Sequence, residues 1–249
     1  MDAYPYELTG PIGSRACLGL VVLQTDETIE HDFRRLLPID HVSLYVSRVP
    51  SGLEVSGETL KSMEAHLPAA AGLFPRAVEF DAVGYGCTSG TSVIGPGKIA
   101  DLVSGGCATK AVTEPVSALL AAAGALGVAR MAFLSPYVEE VSATLRGVLA
   151  KGGLETVVFG SFDEAEEAKV ARIAPHSLID AAVRLGSSEQ SDFIFLSCTN
   201  LRTLDVIGEI EARTGKPVLS SNQVLAWHMA QLSGAGALRM QAGTLTTLA

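Results

Sequence analysis

Short apolar runs alternate with amphipathic segments along most of the chain. The runs at 17–23, 80–85, 128–134 and 193–196 are predominantly apolar, which is typical of strands buried on both faces of a parallel sheet. The segments between them have the spacing of helices, with capping residues near their starts. The alternation predicts an α/β protein with parallel sheets.

The same pattern predicts the individual elements. Strands are expected at 17–23, 41–46, 80–85, 128–134, 156–159, 193–196 and 218–219. Helices are expected at 25–37, 57–71, 97–103, 114–123, from 135 onward, and at 175–185, 205–214 and 222–231. The Gly- and Ser-rich passage at 86–106 predicts only one short helix, and the acidic stretch 163–169 is expected to be exposed.

Two landmarks of the pattern recur at one period. The third strand breaks into Cys87 followed by Thr and Ser, and a later strand breaks into Cys198 followed by Thr and Asn, 111 residues on. Leu23 and Leu134, each at the end of an apolar run, are also 111 residues apart. The period predicts two copies of one βα unit, and parallel sheets place such post-strand loops at their ligand-binding edge. We therefore expect two half-sites, each with one cysteine, facing each other across a cleft.

Composition narrows the class of protein. The chain has 249 residues, is 48% hydrophobic, and carries a net charge of −9, which disfavours disorder and argues against nucleic-acid or anionic-membrane partners. Residues 1–6 lack the features of a signal peptide, and the apolar stretch 116–134 is interrupted by Gly124, Gly127 and Arg130. A soluble, cytoplasmic protein is expected, with its four cysteines as thiols because none has CxxC or zinc-finger spacing.

The two periodic cysteines predict the chemistry. Backbone N–H groups and a helix dipole stabilise a thiolate that follows a strand and precedes a helix. Two such groups on opposite sides of a pocket can take a proton from one face of a carbon and return one to the other, which is a racemase or epimerase. One could instead add to a double bond while the other acts as acid, which is a cis–trans isomerase. The neighbouring polar groups are expected to hold a substrate carboxylate: Thr88, Ser89, Thr199 and Asn200.

Two other classes stay open from the residues alone. The run 84–90 has a G-x-G spacing that can mark a dinucleotide site, but it follows the third strand and no acidic partner is evident. A non-catalytic binder of small carboxylates would use the same cleft without needing reactive thiols. Cys17 and Cys107 are interpreted as packing residues, and the five histidines show no metal-site spacing.

Several segments resemble the aspartate/glutamate racemase superfamily, in particular its branch of maleate cis–trans isomerases, arylmalonate decarboxylases and racemase-like ectoine-utilisation proteins. The resemblance is carried by 196–205 with 215–223, by Cys87-Thr88-Ser89 and by Ser135-Pro136-Tyr137. It implies two pseudo-symmetric Rossmann-like (flavodoxin-like) lobes with parallel sheets, 1–112 and 113–219, and a chain end, 220–249, that returns to the first lobe. It further implies an active site between the lobes, Tyr137 as a site residue, and no metal or organic cofactor.

Departures from the branch bear on the substrate. Arylmalonate decarboxylases have glycine at the first cysteine, whereas this chain has both, which disfavours that reaction. Maleate isomerases have asparagine where this chain has Asp26, and an aspartate repels a carboxylate but attracts an ammonium. Asp26 also suits a helix N-cap. We predict a homo-oligomeric isomerase in which Cys87 and Cys198 racemise or epimerise the α-carbon of a small amino acid or an N-acylated diamino acid, as in ectoine utilisation. The alternative is maleate isomerisation.

Overall fold

The computed structural model describes residues 3–248. Over this range the strands form two parallel four-stranded sheets. The first sheet contains β1 (Ala16–Leu23), β2 (Val42–Val49), β3 (Ala82–Gly86) and β4 (Val112–Thr113). The second contains β5 (Arg130–Ser135), β6 (Glu155–Ser161), β7 (Phe193–Leu196) and β8 (Val218–Ser220).

Helices connect the strands and cover the sheets. They are α1 (Ile29–Leu36), α2 (Gly57–Ser62), α3 (Leu67–Ala71), α4 (Thr88–Ile94), α5 (Pro96–Ser104), α6 (Pro115–Leu126), α7 (Glu139–Lys151), α8 (Glu167–Val170), α9 (Pro175–Gly186), α10 (Ile207–Thr214) and α11 (Ser221–Ser233). Short 3-10 turns lie at Met63–Ala65 and Thr244–Thr247. Within residues 3–248, none of the helices has the length and apolar character needed to cross a membrane.

The two sheets share one strand order. The first runs β2-β1-β3-β4 and the second β6-β5-β7-β8, so each strand has a counterpart in the other sheet. Cys87 follows β3 and Cys198 follows β7, which are counterparts in this order. The α/β class and its two copies are therefore confirmed, and the carboxyl ends of the parallel strands bring both cysteines to sheet edges suited to ligand binding.

The helices after the last strand of each sheet are exchanged between the sheets. Helix α6 follows β4 of the first sheet, yet its Val116 and Leu119 share a core with Phe133 and Phe195 of the second. Helix α11 follows β8 of the second sheet and packs on β1 and β3 of the first. The contact is tight at Gly84 of β3, where a Cβ would lie 2.5 Å from Met229 Sδ. This exchange brings the first residues of α11 between the two half-sites.

Two predicted helical regions differ from the structure. The single helix predicted over 57–71 is three short pieces, and Pro68, in the first turn of α3, lacks the N–H needed to continue a preceding helix. The passage 86–106 contains two helices, α4 and α5, rather than one. They are separated at Gly95, whose φ of +97° suits glycine, and α5 restarts at Pro96.

The N-cap of α6 also differs. Thr113 was the predicted cap, but its hydroxyl pairs with His228 Nδ1 at 2.8 Å. The Glu114 carboxylate caps the helix instead, accepting the backbone N–H groups of Val116 at 2.7 Å and Ser117 at 3.1 Å. Since a carboxylate complements the positive end of the helix dipole, the longer side chain serves as well as threonine.

Candidate active site

One small cavity lies between the two sheets and encloses about 270 Å³. The side chains lining it are only 2–6% exposed, so the cavity is nearly sealed from solvent. Both halves of the chain contribute: Leu23, Asp26, Leu60, Cys87, Thr88, Ser89, Tyr137, Glu167, Cys198 and Thr199. Seven of the eight residues predicted from the sequence are in this set, and Asn200 is the eighth.

Cys87 is held at the start of a helix. It occupies the N-cap of α4 with φ −150°, and its Sγ accepts the Gly90 N–H at 3.1 Å. Glycine is required at 90, because a Cβ there would lie 2.9 Å from Cys87 Sγ and 2.6 Å from the Tyr85 hydroxyl. That hydroxyl is beside Cys87 but donates to Met63 Sδ at 3.5 Å. The first thiol therefore has one backbone donor and a tightly packed surround.

Cys198 is held differently. Its φ of +108° lies in a region that side-chain-bearing residues seldom adopt, and its backbone N–H is fixed by Ser221 Oγ at 3.0 Å. The Sγ accepts the Asn200 N–H at 3.3 Å and lies 3.0 Å from the Tyr137 hydroxyl. Strained backbone of this kind is common at functional sites, where the surrounding structure holds it in place.

Both thiols are protonated in this closed cavity. Burial raises the pKa of Cys87 to about 12, with the negative charges of Glu167 and Asp26 adding to the rise. Burial and the same two carboxylates raise the pKa of Cys198 well above its ordinary value. The sequence predicted thiolates stabilised by backbone N–H groups, and each sulfur does accept one such donor. One neutral donor does not offset the loss of water around a buried anion.

Glu167 is a site residue that the sequence analysis missed. Its carboxylate accepts the Tyr137 hydroxyl on Oε1 at 2.7 Å and the Asn200 amide Nδ2 on Oε2 at 2.7 Å. The expectation that 163–169 is exposed is wrong at this position, since Glu167 is 3% exposed. The Glu167 N–H donates to the Leu53 carbonyl at 3.1 Å, so the residue is buried by a contact with the other half of the chain.

Asn200 lies behind the cavity wall rather than in it. Besides holding Glu167, its side-chain Oδ1 accepts the Glu27 N–H at 2.9 Å, and its backbone N–H faces Cys198 Sγ. The side-chain amide therefore orients a carboxylate of the protein. Its predicted role as a direct substrate ligand stays a prediction.

Asp26 combines the two roles proposed for it. Its Oδ1 caps the start of α1 by accepting the N–H groups of Thr28 and Ile29, both at 2.8 Å. Its Oδ2 is buried without a hydrogen-bond partner, and Thr199, whose hydroxyl is beside this carboxylate, donates instead to the Gly86 carbonyl at 3.3 Å. Burial raises the pKa of Asp26. An unpartnered carboxylate oxygen at a cavity wall calls for a donor from a ligand.

Backbone amides offer a complementary site for an anion. Among residues 3–248, the N–H groups of Thr88, Ser89 and Thr199 have no acceptor. The Thr88 hydroxyl is already committed, because it donates to Ser221 Oγ at 2.8 Å. Unpaired N–H groups at a cavity wall suit a carboxylate. The cavity thus has an amide-rich part beside the cysteine loops and an acidic part formed by Asp26 and Glu167.

Positive charge and metal ligands are missing from the described site. None of the cavity-lining side chains within residues 3–248 is Lys, Arg or His. Over the same range, no group of three or more His, Cys, Asp or Glu side chains is arranged to hold a metal ion. All four cysteines are free thiols, as predicted.

Two parallel sheets of one strand order, with a cysteine from each on a shared cavity, define an α/β enzyme of the aspartate/glutamate racemase-like superfamily. More particularly, the chain belongs to the arylmalonate decarboxylase family, whose model matches residues 105–246, more than half of the chain. The prediction that the chain is an enzyme is thereby confirmed.

Individual relatives have different activities. The chain is 37% identical over 126 residues to arylmalonate decarboxylase of Bordetella bronchiseptica, a match that spans 50% of this chain and about half, 52%, of that relative. It resembles the structure of a maleate isomerase from Pseudomonas putida S16 with a TM-score of 0.83 and 22% identity, covering 94% of this chain and 98% of the other.

A third relative is a cysteine-to-serine mutant of maleate cis–trans isomerase from Nocardia farcinica, described with a covalently bound succinylcysteine intermediate. The TM-score is 0.81 with 23% identity, covering 93% of this chain and 98% of that one. These likenesses establish the fold over nearly the whole chain. The relatives as a group support a cysteine-dependent isomerase or lyase.

Proposed function

We propose that the protein is a two-cysteine racemase or epimerase acting at the α-carbon of a small amino acid or an N-acylated diamino acid. The observation that carries the proposal is the unpartnered Oδ2 of Asp26 in a buried cavity that two thiols share. An α-ammonium group would supply the donor that this oxygen lacks and a charge opposite to its own.

The substrate carboxylate is assigned to the amide-rich part of the cavity. The N–H groups of Thr88, Ser89 and Thr199 would bind its oxygens without any cationic side chain. A dicarboxylate would bring a second anion next to Asp26 and Glu167, with no positive charge among the lining side chains to offset it. The site therefore favours a substrate with one carboxylate and one ammonium over a plain dicarboxylate.

The reaction follows from a cysteine on each side of the bound α-carbon. One sulfur, as thiolate, removes the α-proton from one face, while the opposite thiol donates its own proton to the other face, inverting the centre. One S–H bond forms and one breaks, so the pair has exchanged protonation states at the end of a turnover. The sealed cavity limits competing exchange with solvent.

Maleate isomerisation is the second candidate. It is favoured by the match to maleate isomerase structures over more than nine-tenths of the chain and by the presence of both cysteines. In that reaction one sulfur would add to the double bond and be expelled after rotation. The two buried carboxylates, Asp26 and Glu167, count against it because they face a substrate with two negative charges.

Solvent-deuterium uptake followed by NMR separates the candidates. The enzyme is offered free and N-acylated amino acids, each as a single enantiomer, together with maleate. Deuterium at an α-carbon with loss of optical purity is the expected result. Conversion of maleate to fumarate without α-exchange would overturn the proposal in favour of the second candidate, and no reaction with any compound would favour a non-catalytic binder.

A further inference from the structure

Three side chains form a continuous hydrogen-bonded path away from one of the two cysteines. Cys198 Sγ lies 3.0 Å from the Tyr137 hydroxyl oxygen, and that hydroxyl lies 2.7 Å from Glu167 Oε1. All three side chains are 3–5% exposed. The path therefore runs from a buried thiol to a buried carboxylate through a single hydroxyl.

The remaining contacts fix the direction of each hydrogen bond. The Asn200 amide donates to the other oxygen of Glu167, Oε2, at 2.7 Å, and Asn200 is itself fixed because its Oδ1 accepts the Glu27 N–H. The Tyr137 hydroxyl donates to Glu167 Oε1. Its oxygen lone pairs are then free to accept the S–H proton of Cys198.

We propose that Tyr137 and Glu167 form a proton relay that makes Cys198 the base of the cysteine pair. The S–H bond of Cys198 breaks as its proton moves to the Tyr137 oxygen, and the Tyr137 O–H bond breaks as that proton moves to Glu167 Oε1. The products are a Cys198 thiolate, an intact tyrosine and a neutral Glu167. The net charge of the three groups is unchanged, so no new charge is buried.

The thiolate formed in this way has two donors. It accepts the Tyr137 hydroxyl, which can turn toward it once Glu167 is protonated, and the Asn200 N–H at 3.3 Å. The titratable groups that face Cys198 are Tyr137, Glu167 and Asp26. Asp26 has no hydrogen-bonded path to this sulfur, and the proton is assigned to Glu167 for that reason.

The other thiol has no comparable path among the described residues. Cys87 Sγ accepts the Gly90 N–H, and the hydroxyl beside it, that of Tyr85, donates to a methionine sulfur rather than to a carboxylate. Cys87 therefore stays protonated and acts as the acid in the forward direction. The two cysteines, equivalent in the fold, start the reaction in different protonation states.

Two interpretations of Glu167 predict effects of opposite sign. If Glu167 were only a nearby negative charge, Glu167→Gln would remove that charge and make Cys198 more readily ionised and more reactive. If Glu167 accepts the Cys198 proton through Tyr137, the same substitution removes the acceptor and makes Cys198 less reactive. A role confined to packing would change the access of reagent to both thiols alike.

The test is site-resolved alkylation of the whole protein with iodoacetamide, with the rate at each cysteine followed by mass spectrometry between pH 6 and 9. The variants are Glu167→Gln and Tyr137→Phe, with Glu166→Gln as the matched control, because Glu166 is exposed and its carboxylate pairs with Lys169. Cys107, which is partly exposed, is the internal reference.

We expect the ratio of the Cys198 rate to the Cys87 rate to fall about tenfold or more in both relay variants, corresponding to one pKa unit in the thiolate population. The control should keep the wild-type ratio. An unchanged or increased ratio in Glu167→Gln would overturn the relay. The inference deepens the proposed function, but alkylation needs no substrate, so a failed relay and a failed substrate assignment give separate results.

Discussion

The two cysteine half-sites occupy matching places in the two sheets but are built differently. Cys87 follows β3, caps a helix with an ordinary extended backbone, and has a glycine N–H as its hydrogen-bond donor. Cys198 follows β7 with φ +108° and contacts a tyrosine that is joined to a buried glutamate. A repeated fold places two thiols at one cavity, whereas the side chains around each sulfur set its protonation state.

The half-sites are also physically joined. Ser221, the first residue of α11, accepts the Thr88 hydroxyl from the first half at 2.8 Å and the Cys198 N–H from the second at 3.0 Å. It reaches both because α11 packs on the first sheet after leaving the second. A change at Ser221 should therefore disturb both cysteine loops, whereas a change at Asp26 or Cys198 should act on one side.

The largest effect is expected at the acidic side of the cavity. Asp26→Asn keeps an oxygen to cap α1 but removes the charge proposed to bind the ammonium group. We expect kcat/KM for the amino acid that exchanges deuterium to fall about 100-fold or more, as when one partner of a buried charge pair is removed. The measurement is the initial rate of racemisation, with maleate turnover assayed in parallel.

The matched control for this prediction is Asp180→Asn. Asp180 is an exposed aspartate on α9, 3.9 Å from Arg213, and the substitution should leave kcat/KM unchanged. Equal kinetics in Asp26→Asn and wild type would remove the main argument for an ammonium substrate. A gain of maleate isomerase activity in Asp26→Asn would show that this one charge selects between the two reactions.

The next effect is on stability and tests the link between the half-sites. Ser221→Ala leaves the buried Cys198 N–H without its acceptor, and we expect the free energy of unfolding to fall by about 1–3 kcal/mol. Urea denaturation measures the change. Ser233→Ala, at the far end of the same helix, removes a hydroxyl that donates to the Met229 carbonyl and should cost less than about 0.5 kcal/mol. Equal losses in the two variants would argue against the link.

The smallest effect concerns the strained backbone at the second cysteine. At φ +108°, glycine avoids a strain that alanine keeps, so Cys198→Gly should be more stable than Cys198→Ala by about 1 kcal/mol. Cys17, in the regular strand β1, is the control position, where Gly should be less stable than Ala by about 0.5–1 kcal/mol. The same preference for alanine at both positions would mean that Cys198 is not strained.

The sequence predicted the parts of the site that follow directly from strand ends. Cys87, Cys198, Asp26 and Tyr137 each come after a buried strand, and parallel sheets gather such positions at one edge. The period of 111 residues corresponds to the common strand order of the two sheets. Local pattern was sufficient there because the strands are short, apolar and clearly bounded.

Glu167 could not be predicted because long-range contacts determine its burial. Its local sequence is acidic and reads as exposed, but Glu167 and Ala165 form backbone hydrogen bonds with Leu53 and Val55 of the first half, which turn the glutamate inward. The pKa values of the thiols depend in the same way on this tertiary burial. Helix α4 was missed because its Gly- and Ser-rich sequence has low intrinsic helix propensity.

The central claim is that Cys87 and Cys198 act on opposite faces of one substrate carbon. The direct measurement is α-deuterium exchange in Cys87→Ser and Cys198→Ser, each offered the two enantiomers of the substrate separately. Both variants are predicted to lose racemisation by about 100-fold or more, while each keeps exchange with only one enantiomer, a different one in each variant. Wild-type racemisation in either variant, or exchange of the same enantiomer by both, would contradict the two-cysteine account.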